Sequence, residues 1–324
     1  MNDPHETRLE IVSGYEFREL SRPRLWRERI ETYVAGLGLK GTVLVAGEGI
    51  NFSLFGTSAA LTAWLQWLAG ELGVHAPVIN RQAVENPPFL RLKVRVRDEI
   101  VTFDSAVRPA RRGASAAASE SPAGEALSAG DWNALLDDPE VQLIDTRNDY
   151  EVRLGSFIGA VNPETATFTG FKAYCEQKLD PERPVAMFCT GGVRCEKAST
   201  WLRARGFGKV YQLHGGILGY LAETPPEQSR WRGECFVFDD RVSVDETLSP
   251  CGRIVCRGCR KPADGLDAAG VPPFGDDGAC LLCKQQFDDA RLGSLRERAR
   301  QVALATARGD RHLGPEAQCS TKQA

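Results

Sequence analysis

Residues 188–198 carry the clearest indication of the fold and read Phe188-Cys189-Thr190-Gly191-Gly192-Val193-Arg194-Cys195-Glu196-Lys197-Ala198. This stretch begins at the end of the apolar run 185–188, which is typical of a buried strand, and it continues into residues of helical character up to Arg205. Further apolar runs lie at 141–144 and 210–213. The alternation of strands and helices predicts a parallel, doubly wound α/β domain with reactive groups at the carboxyl ends of its strands.

Cys189 stands where a thiol ionises easily, because the loop N–H groups and the positive end of the following helix both face its sulfur. A lowered pKa would make this thiol a nucleophile. The alternative is a buried structural cysteine. The loop between Cys189 and Arg194 has four residues, Thr190, Gly191, Gly192 and Val193. That is one fewer than in the related phosphatase loop, so a persulfide fits better than a phosphate.

The sequence is consistent with two alternative roles for each of the residues expected near Cys189. Cys195 is either a candidate resolving thiol or a small buried packing residue. Arg194 is either a donor that braces the loop or a substrate contact. Asp145 and Arg147, at the end of the strand 141–144, form either a structural ion pair or part of the catalytic machinery.

Length and composition exclude several classes of protein. The 324 residues predict two domains or two plus an appendage, since a domain takes about 150 residues. Lys and Arg number 40 against 43 Asp and Glu, so any RNA-binding surface must be local. The 42% hydrophobic content fits a globular chain. The chain shows no membrane-spanning stretch and its start resembles no signal peptide, so we expect a cytoplasmic protein. In that reducing compartment, ten cysteines indicate catalysis or metal binding.

The N-terminal part predicts a ferredoxin-like domain. Its elements follow the order β-α-β-β-α-β. They are predicted at 9–17 (strand), 23–37 (helix), 42–46 and 51–55 (strands), 58–72 (helix) and 90–97 (strand).

Two segments carry local positive charge. The predicted strand 90–97 alternates apolar and basic residues, and its basic members are Arg91, Lys93, Arg95 and Arg97. A second basic segment is the predicted C-terminal helix, 288–308, with the residues just after it. Its arginines are Arg296, Arg298, Arg300, Arg308 and Arg311. Each segment is either a track for an RNA backbone or a solvated face.

Paired cysteines predict a metal site near the C-terminus. Cys256-x2-Cys259 is followed, after twenty residues, by Cys280-x2-Cys283. This spacing is typical of a structural zinc site of four thiolates. The alternative is a set of free or redox-active thiols, and Cys251 could replace one ligand. Three further cysteines, Cys175, Cys235 and Cys319, have no assigned role.

These patterns divide the chain into four predicted regions. The ferredoxin-like domain covers 1–107, and an Ala/Ser-rich flexible linker covers 108–127. The domain that carries Cys189 covers 128–228. A cysteine-rich, zinc-binding region with an Arg-rich helix covers 229–324.

Several motifs resemble known families. Asp145-Thr146-Arg147, the stretch 159–162 and the Cys189 loop resemble a rhodanese domain. Together with Glu48-Gly49-Ile50-Asn51 and the stretches 189–198 and 233–242, they resemble the rhodanese-containing tRNA uridine hydroxylase family. The resemblance implies an acylphosphatase-like N-terminal domain, a central rhodanese domain and a cysteine-rich C-terminal region.

The resemblance also implies a reaction, the oxygen-dependent conversion of the wobble uridine of tRNA to 5-hydroxyuridine. O2 would be a co-substrate, tRNA the partner, and Cys189 the persulfide-forming thiol, which implies a sulfur donor. Arg194 would close the loop, with Asp145 and Arg147 bracing it. One departure is that many rhodaneses have a histidine where this chain has Gly155-Ser156-Phe157. Glu48 and Asn51 would be turn formers or part of an RNA-facing loop.

Two other functions stay open. The first is a sulfurtransferase that passes sulfur through a Cys189 persulfide to a thiol acceptor. The second is a non-catalytic RNA-binding scaffold built on the basic segments and the cysteine pairs. We find no flavin or nicotinamide fingerprint, and the four histidines, His5, His75, His214 and His312, predict no iron site of two histidines and a carboxylate.

Overall fold

The computed structural model describes residues 8–75, 77–109, 123–263, 274 and 278–308. These residues fall into two compact units. The first is drawn from Met1–Phe236 with Asp245–Ser249, and the second from Val237–Val244 with Pro250–Ala324. The first unit contains two sheets of four or more strands, and each belongs to a separate layer of sheet and helices.

The N-terminal part of the first unit is a five-stranded sheet with two helices. Its elements are β1 (Leu9–Phe17), α1 (Pro23–Gly36), β2 (Lys40–Ala46), β3 (Gly49–Thr57), α2 (Ser58–Leu72), β4 (Val78–Ala83) and β5 (Leu92–Val96). The strand order is β4-β1-β3-β2-β5. β1 pairs antiparallel with β3 and β4, β2 pairs antiparallel with β3, and β5 pairs parallel with β2. The ferredoxin-like order β-α-β-β-α-β is present in β1 to β4.

The sequence prediction was wrong about which strand ends this motif. It placed the last strand at 90–97, but β4 occupies that position and β5 is an additional edge strand beside β2. β4 has no strand-like sequence pattern, because the apolar and polar residues in it do not match the buried and exposed positions. The apolar Ile79 is 38% exposed, whereas the polar Gln82 is buried.

Helix α2 shows how this layer is held together. It begins after Thr57, whose side chain accepts a hydrogen bond from the N–H of Ala60, and it ends at Gly73 in the left-handed conformation. Leu61, Trp64 and Leu68 recur at helical spacing and are fully buried against the sheet. Burial of such side chains contributes about 1.5–3 kcal/mol each.

The second layer of this unit contains a four-stranded parallel sheet, helices and three short strands that are outside this sheet. Its elements are β6 (Glu125–Leu127), α3 (Ala129–Leu135), β7 (Gln142–Asp145), α4 (Asp149–Val152), β8 (Gly155–Phe157), α5 (Phe171–Lys178), β9 (Val185–Phe188), α6 (Val193–Arg203), β10 (Val210–Leu213), α7 (Gly216–Glu223), β11 (Trp231–Gly233) and β12 (Cys235–Phe236). The strand order in the parallel sheet is β6-β10-β9-β7, and all three pairings are parallel, whereas β8, β11 and β12 are outside it. The predicted α/β class is confirmed.

The predicted linker, 108–127, differs from the structure at its C-terminal end. Residues 125–127 form β6, which pairs parallel with β10 as the edge of the sheet. Three residues were too few for a recognisable strand pattern. Residues 110–122 of the predicted linker, including its Ala/Ser run, lie outside the described residues.

The second unit holds the cysteine-rich region. Its elements are β13 (Ser243–Val244), β14 (Ile254–Val255), β15 (Pro262–Ala263), α8 (Leu281–Gln286) and α9 (Asp289–Ala307). β14 and β15 pair antiparallel. α9 covers the predicted C-terminal helix. Within the described residues, no helix is both long enough and apolar enough to cross a membrane.

Candidate active site at Cys189

Cys189 lies where β9 ends and the loop to α6 begins. The thiol is buried, and the backbone N–H of Gly192 donates a hydrogen bond of 3.1 Å to its Sγ. Gly192 has φ 98°, a left-handed conformation that favours glycine. A Cβ at this position would lie 3.0 Å from the hydroxyl oxygen of Tyr15. The loop is therefore curled around the sulfur and closely covered from outside.

Burial by itself would raise the pKa of the Cys189 thiol. The hydrogen bond with Cys195, the positive charge of Arg194 and the backbone N–H groups of both residues outweigh burial and lower the pKa to about 6. The pKa of Cys195 is instead raised, by burial and by its contact with the Cys189 thiolate. The Cys195 Sγ also lies 3.6 Å from Thr146 Oγ1. At neutral pH the pair is a thiolate with a thiol donor beside it.

The ionisation of Cys189 can be measured directly. We expect the thiolate absorbance of the wild type, after subtraction of a Cys189→Ser variant, to appear with a midpoint near pH 6. The thiolate fraction rises as pH rises through that value. A Cys175→Ser variant is the control, because the pKa of the buried Cys175 is raised and this thiol stays protonated in the same range. A midpoint near the value of about 8.5 for a free cysteine would contradict the prediction.

Arg194 is held by a residue that the sequence did not reveal. Its Nη1 and Nη2 donate hydrogen bonds of 2.8 and 2.7 Å to the two carboxylate oxygens of Glu151. Both residues are buried. Burial raises the pKa of Glu151, but the Arg194 charge and hydrogen bonds outweigh it, so the pKa is lowered. Of the two roles considered for Arg194, the described contacts correspond to bracing.

Glu151 had a weak sequence signal. It stands three residues after Asn148, and the two form a capping box at the start of α4. The capping box predicts a helix start. It does not predict the partner of the carboxylate, which is 43 residues away in the chain.

Asp145 and Arg147 form a second buried ion pair. Arg147 Nε and Nη2 donate hydrogen bonds of 2.9 and 2.7 Å to the Asp145 carboxylate, and Nη2 also donates to the carbonyl of Gly155. Ser156 donates a 2.9 Å hydrogen bond to the same carboxylate. Gly155 and Ser156, which stand where many rhodaneses have a histidine, therefore both hydrogen-bond to the Asp145–Arg147 ion pair. These hydrogen bonds tie the end of β7 to β8.

Two hydrogen bonds link the N-terminal domain to the elements beside the Cys189 loop. The hydroxyl of Tyr15, in β1, donates a buried 2.9 Å hydrogen bond to Glu196, in the first turn of α6. Asn80, in β4, donates a 3.0 Å hydrogen bond to the carbonyl of Gly215. Gly215 precedes α7, whose first residue, Gly216, has φ 64°. A Cβ on Gly216 would lie 2.5 Å from the Cys189 carbonyl oxygen, so this approach requires glycine.

Lys197 also links the two domains, through a buried ion cluster. Its ammonium group is fully buried and lies 2.9 and 2.8 Å from the two carboxylate oxygens of Glu48, and it also pairs with Glu99. Glu48 additionally accepts a 2.8 Å hydrogen bond from the N–H of Ile100. Glu48 lies in the turn between β2 and β3, as expected, but its carboxylate is buried in this ion cluster, so the expectation of an RNA-facing side chain is wrong. Asn51 donates a hydrogen bond to the carbonyl of Ile100.

Other predicted residues have simpler surroundings. Thr190 is buried and its hydroxyl is without a hydrogen-bond partner among the described residues, so it can serve a group bound in the loop. Val193 begins α6. His214 is exposed beside the turn to α7. Cys235 is buried near Arg147, and burial raises its pKa to about 12.

The two predicted basic segments are both accessible. In β5 and beside it, Arg91, Arg95 and Arg97 are exposed and Lys93 is half-buried. In α9, Arg296 and Arg298 are exposed, whereas Arg300 pairs with Glu297. Arg308 is exposed. Arg311, His5, His312 and Cys319 lie outside the described residues.

The four predicted metal ligands lie together in the second unit. The Sγ atoms of Cys256, Cys259, Cys280 and Cys283 are all within 4.8 Å of one another. The pairs Cys256–Cys283 and Cys259–Cys280 are 3.7 and 3.9 Å apart. A tetrahedral zinc site with Zn–S bonds of about 2.3 Å places its sulfurs about 3.8 Å apart. The cluster could therefore hold a metal ion, and Cys251 is not a member of it within the described residues.

Two family models match the chain. Residues 9–100 match the UPF0176 acylphosphatase-like domain, and residues 128–223 match the rhodanese-like domain. This is the domain architecture of the tRNA uridine hydroxylase family. The predicted resemblance is confirmed, and the Cys189 loop belongs to the rhodanese domain. The rhodanese domain supports cysteine-based enzymatic chemistry, such as sulfur transfer.

Several solved structures resemble one region of this chain. The Alr3790 protein from Anabaena sp. is 21% identical over 33% of this chain and 91% of its own, with a TM-score of 0.29. A rhodanese-related protein from Thermoplasma volcanium is 21% identical over 32% of this chain and 95% of its own, with a TM-score of 0.26. Reduced CoADR-RHD from Bacillus anthracis is 21% identical over 30% of this chain, with a TM-score of 0.27, and the match spans only 16% of that protein.

Proposed function

We propose that this protein hydroxylates the wobble uridine of tRNA to 5-hydroxyuridine in the cytoplasm, with O2 as co-substrate and Cys189 as the reactive thiol. The observation that carries the proposal is the contact between the two matched domains. Tyr15 and Asn80 of the acylphosphatase-like domain reach the rhodanese loop and the turn beside it. A plain sulfurtransferase loop needs no such second domain, whereas a macromolecular substrate needs a surface beyond the thiol.

The residues of the loop suit a persulfide. The Cys189 thiolate attacks the outer sulfur of a low-molecular-weight persulfide, R–S–SH. The S–S bond of the donor breaks, its inner sulfur leaves as the thiolate RS⁻, and Cys189 becomes a persulfide. The N–H of Gly192 and the charge of Arg194 stabilise negative charge at this point. Glu151 holds Arg194 in place during the exchange.

The nucleoside composition of tRNA tests the proposal. In a cell in which this chain is the only source of 5-hydroxyuridine, Cys189→Ser should abolish the modified nucleoside as measured by mass spectrometry. Cys175→Ser is a matched control, because Cys175 is equally buried but lies in α5 and not in the Cys189 loop. A normal level of 5-hydroxyuridine in the Cys189→Ser strain would refute the mechanism.

The second candidate is sulfur transfer alone. A lowered pKa at Cys189 and a braced Arg194 are sufficient for that reaction. The two functions separate in one comparison. If the tRNA is unmodified with and without this protein, and the purified chain transfers sulfur to cyanide only when Cys189 is present, the sulfurtransferase is the correct function.

We further propose that the four clustered cysteines hold a structural zinc ion. Four thiolates fill a tetrahedral site, so such an ion would stabilise the fold rather than bind substrate. Backbone N–H groups of Gly258 and Cys280 each donate a 3.3 Å hydrogen bond to Cys256 Sγ, as is usual around thiolate ligands.

Metal analysis tests the zinc proposal. We expect one zinc per chain in the wild type and a loss of about tenfold or more in zinc affinity for Cys259→Ser, because one of four ligands is removed. Cys251→Ser is the control, since Cys251 is outside the cluster. Full zinc retention in Cys259→Ser, or equal loss in Cys251→Ser, would contradict the assignment.

A further inference from the structure

A cleft on the N-terminal domain carries three arginines. It has a volume of about 590 Å³ and is lined by Arg22, Pro23, Arg24, Gly47, Val96, Arg97 and Asp98. Arg22 and Arg24 flank the start of α1, and Arg97 directly follows β5. We refer to this feature as the arginine cleft.

The charges of the arginine cleft are available to a ligand. Arg22, Arg24 and Arg97 are exposed, and none of the three has an ion pair within the described part of the chain. The lining residues include three guanidinium groups and one carboxylate, that of Asp98. In a chain with a net charge of -3, this is a local concentration of positive charge. A cleft of this kind attracts an anion.

The arrangement of the exposed arginines favours binding of a polymeric anion over binding of a small anion. Arg95 in β5 and Arg91 just before it are exposed, and they alternate with the apolar residues in the same way as Arg97 just after β5, so the three lie in one row. A guanidinium group binds phosphate in a bidentate manner and stays charged at any physiological pH. A row of such groups that ends in an open cleft fits the repeating phosphates of an RNA strand better than one isolated phosphate.

The arginine cleft adjoins the contacts that reach the active loop. Gly47 lines the cleft, and the next residue, Glu48, pairs with Lys197. Asp98 lines the cleft, and the next residue, Glu99, pairs with the same lysine. Neighbouring Cα atoms are about 3.8 Å apart. Gly47 and Asp98 of the cleft are thus each one residue from a carboxylate that pairs with Lys197. Lys197 lies in α6, the helix that follows the Cys189 loop.

We propose that the arginine cleft binds the ribose-phosphate backbone of the tRNA anticodon arm and thereby directs the wobble base towards the Cys189 loop. This proposal rests on the proposed function and names the surface that binds its substrate. The backbone contacts position the RNA, while recognition of the base is left to the loop.

Binding of a labelled anticodon stem-loop RNA to the full chain, measured by fluorescence anisotropy at several salt concentrations, tests the proposal. The double variant Arg22→Gln/Arg97→Gln should bind at least about tenfold more weakly and should reduce the salt slope by about 2, because two phosphate contacts are lost. The variant Arg22→Lys/Arg97→Lys retains the charge and should recover most of the affinity. Unchanged thermal unfolding of both variants shows that the fold is intact.

A matched control removes two charges elsewhere. Lys178 and Lys209 are exposed and precede β9 and β10, at the opposite end of the parallel sheet from the Cys189 loop. Lys178→Gln/Lys209→Gln should bind RNA with wild-type affinity and salt slope. Equal weakening in this control, or wild-type binding by Arg22→Gln/Arg97→Gln, would overturn the cleft proposal.

The nucleoside profile distinguishes failure of the cleft proposal from failure of the proposed function. Wild-type RNA binding by Arg22→Gln/Arg97→Gln, with 5-hydroxyuridine still dependent on Cys189, refutes the cleft alone. If the wild-type chain binds no RNA and makes no 5-hydroxyuridine, both proposals fail. If the arginine variant loses RNA binding and 5-hydroxyuridine while the lysine control keeps both, the cleft proposal is supported.

Discussion

Replacing Lys197 with methionine should destabilise the first unit by about 3–5 kcal/mol, because a buried charge pair loses one partner while the other stays buried. Lys197 is fully buried, and its two carboxylate partners are at most 10% exposed. Methionine has a similar length but can neutralise neither Glu48 nor Glu99. For a folding unit of this size the midpoint of thermal unfolding should fall by about 10 °C.

Two further variants distinguish charge loss from poor packing. Lys209→Met removes an exposed lysine and should change the unfolding midpoint little. Lys197→Met combined with Glu48→Gln and Glu99→Gln should recover part of the lost stability, because it removes the unpaired carboxylates while keeping oxygen acceptors for the N–H groups of Ile100 and Phe103. A triple variant less stable than Lys197→Met would contradict this account.

Replacing Arg194 with methionine should have two effects. It leaves Glu151 buried without its partner, which costs about 3–5 kcal/mol of stability at neutral pH. It also removes a positive charge that lowers the pKa of Cys189, so that pKa should rise above the wild-type value of about 6. Urea unfolding measures the first effect, and the thiolate absorbance titration measures the second.

The stability effect should depend on pH in a defined direction. The folded-state pKa of Glu151 is lowered in the wild type, so its contribution to stability is present above the ordinary glutamate pKa and is lost as pH falls through the folded value. In Arg194→Met the buried carboxyl group is protonated more easily. The stability gap between wild type and variant should therefore be largest at neutral pH and shrink in acid.

Arg194→Lys is the conservative comparison. Lysine keeps a positive charge but cannot reproduce the two parallel hydrogen bonds to Glu151. The pKa of Cys189 should stay closer to the wild-type value than in Arg194→Met, while much of the stability is still lost. If lysine restored stability fully, bidentate bracing would not be the role of Arg194.

Local patterns were sufficient for much of the site. The strand, glycine loop and helix around Cys189 are contiguous in the chain, and the backbone conformation of Gly192 follows from the loop that the glycines permit. The cysteine pairs are equally local, because only two residues separate the two cysteines of each pair. The spacing therefore predicted a cluster whose sulfurs the structure places within 4.8 Å.

Contacts between distant residues were not predictable in this way. Glu151 meets Arg194 across 43 positions, and Tyr15 meets Glu196 across 181. Such pairs depend on how distant helices and strands pack against each other, and a short sequence pattern does not specify that packing. β4 was missed for the same reason, since its buried glutamine and half-exposed isoleucine are explained only by their neighbours in the sheet.

Local sequence patterns predicted the candidate nucleophile Cys189, the loop that holds it, the cysteine quartet and the two domain types, because each is specified by residues close together in the chain. The surroundings of the thiol depend on tertiary packing between distant elements. This packing paired Arg194 with Glu151, placed Tyr15 over Gly192, and buried Lys197 between Glu48 and Glu99. A buried charge must find its counter-charge wherever packing brings one, and that partner is chosen by the fold rather than by position in the chain.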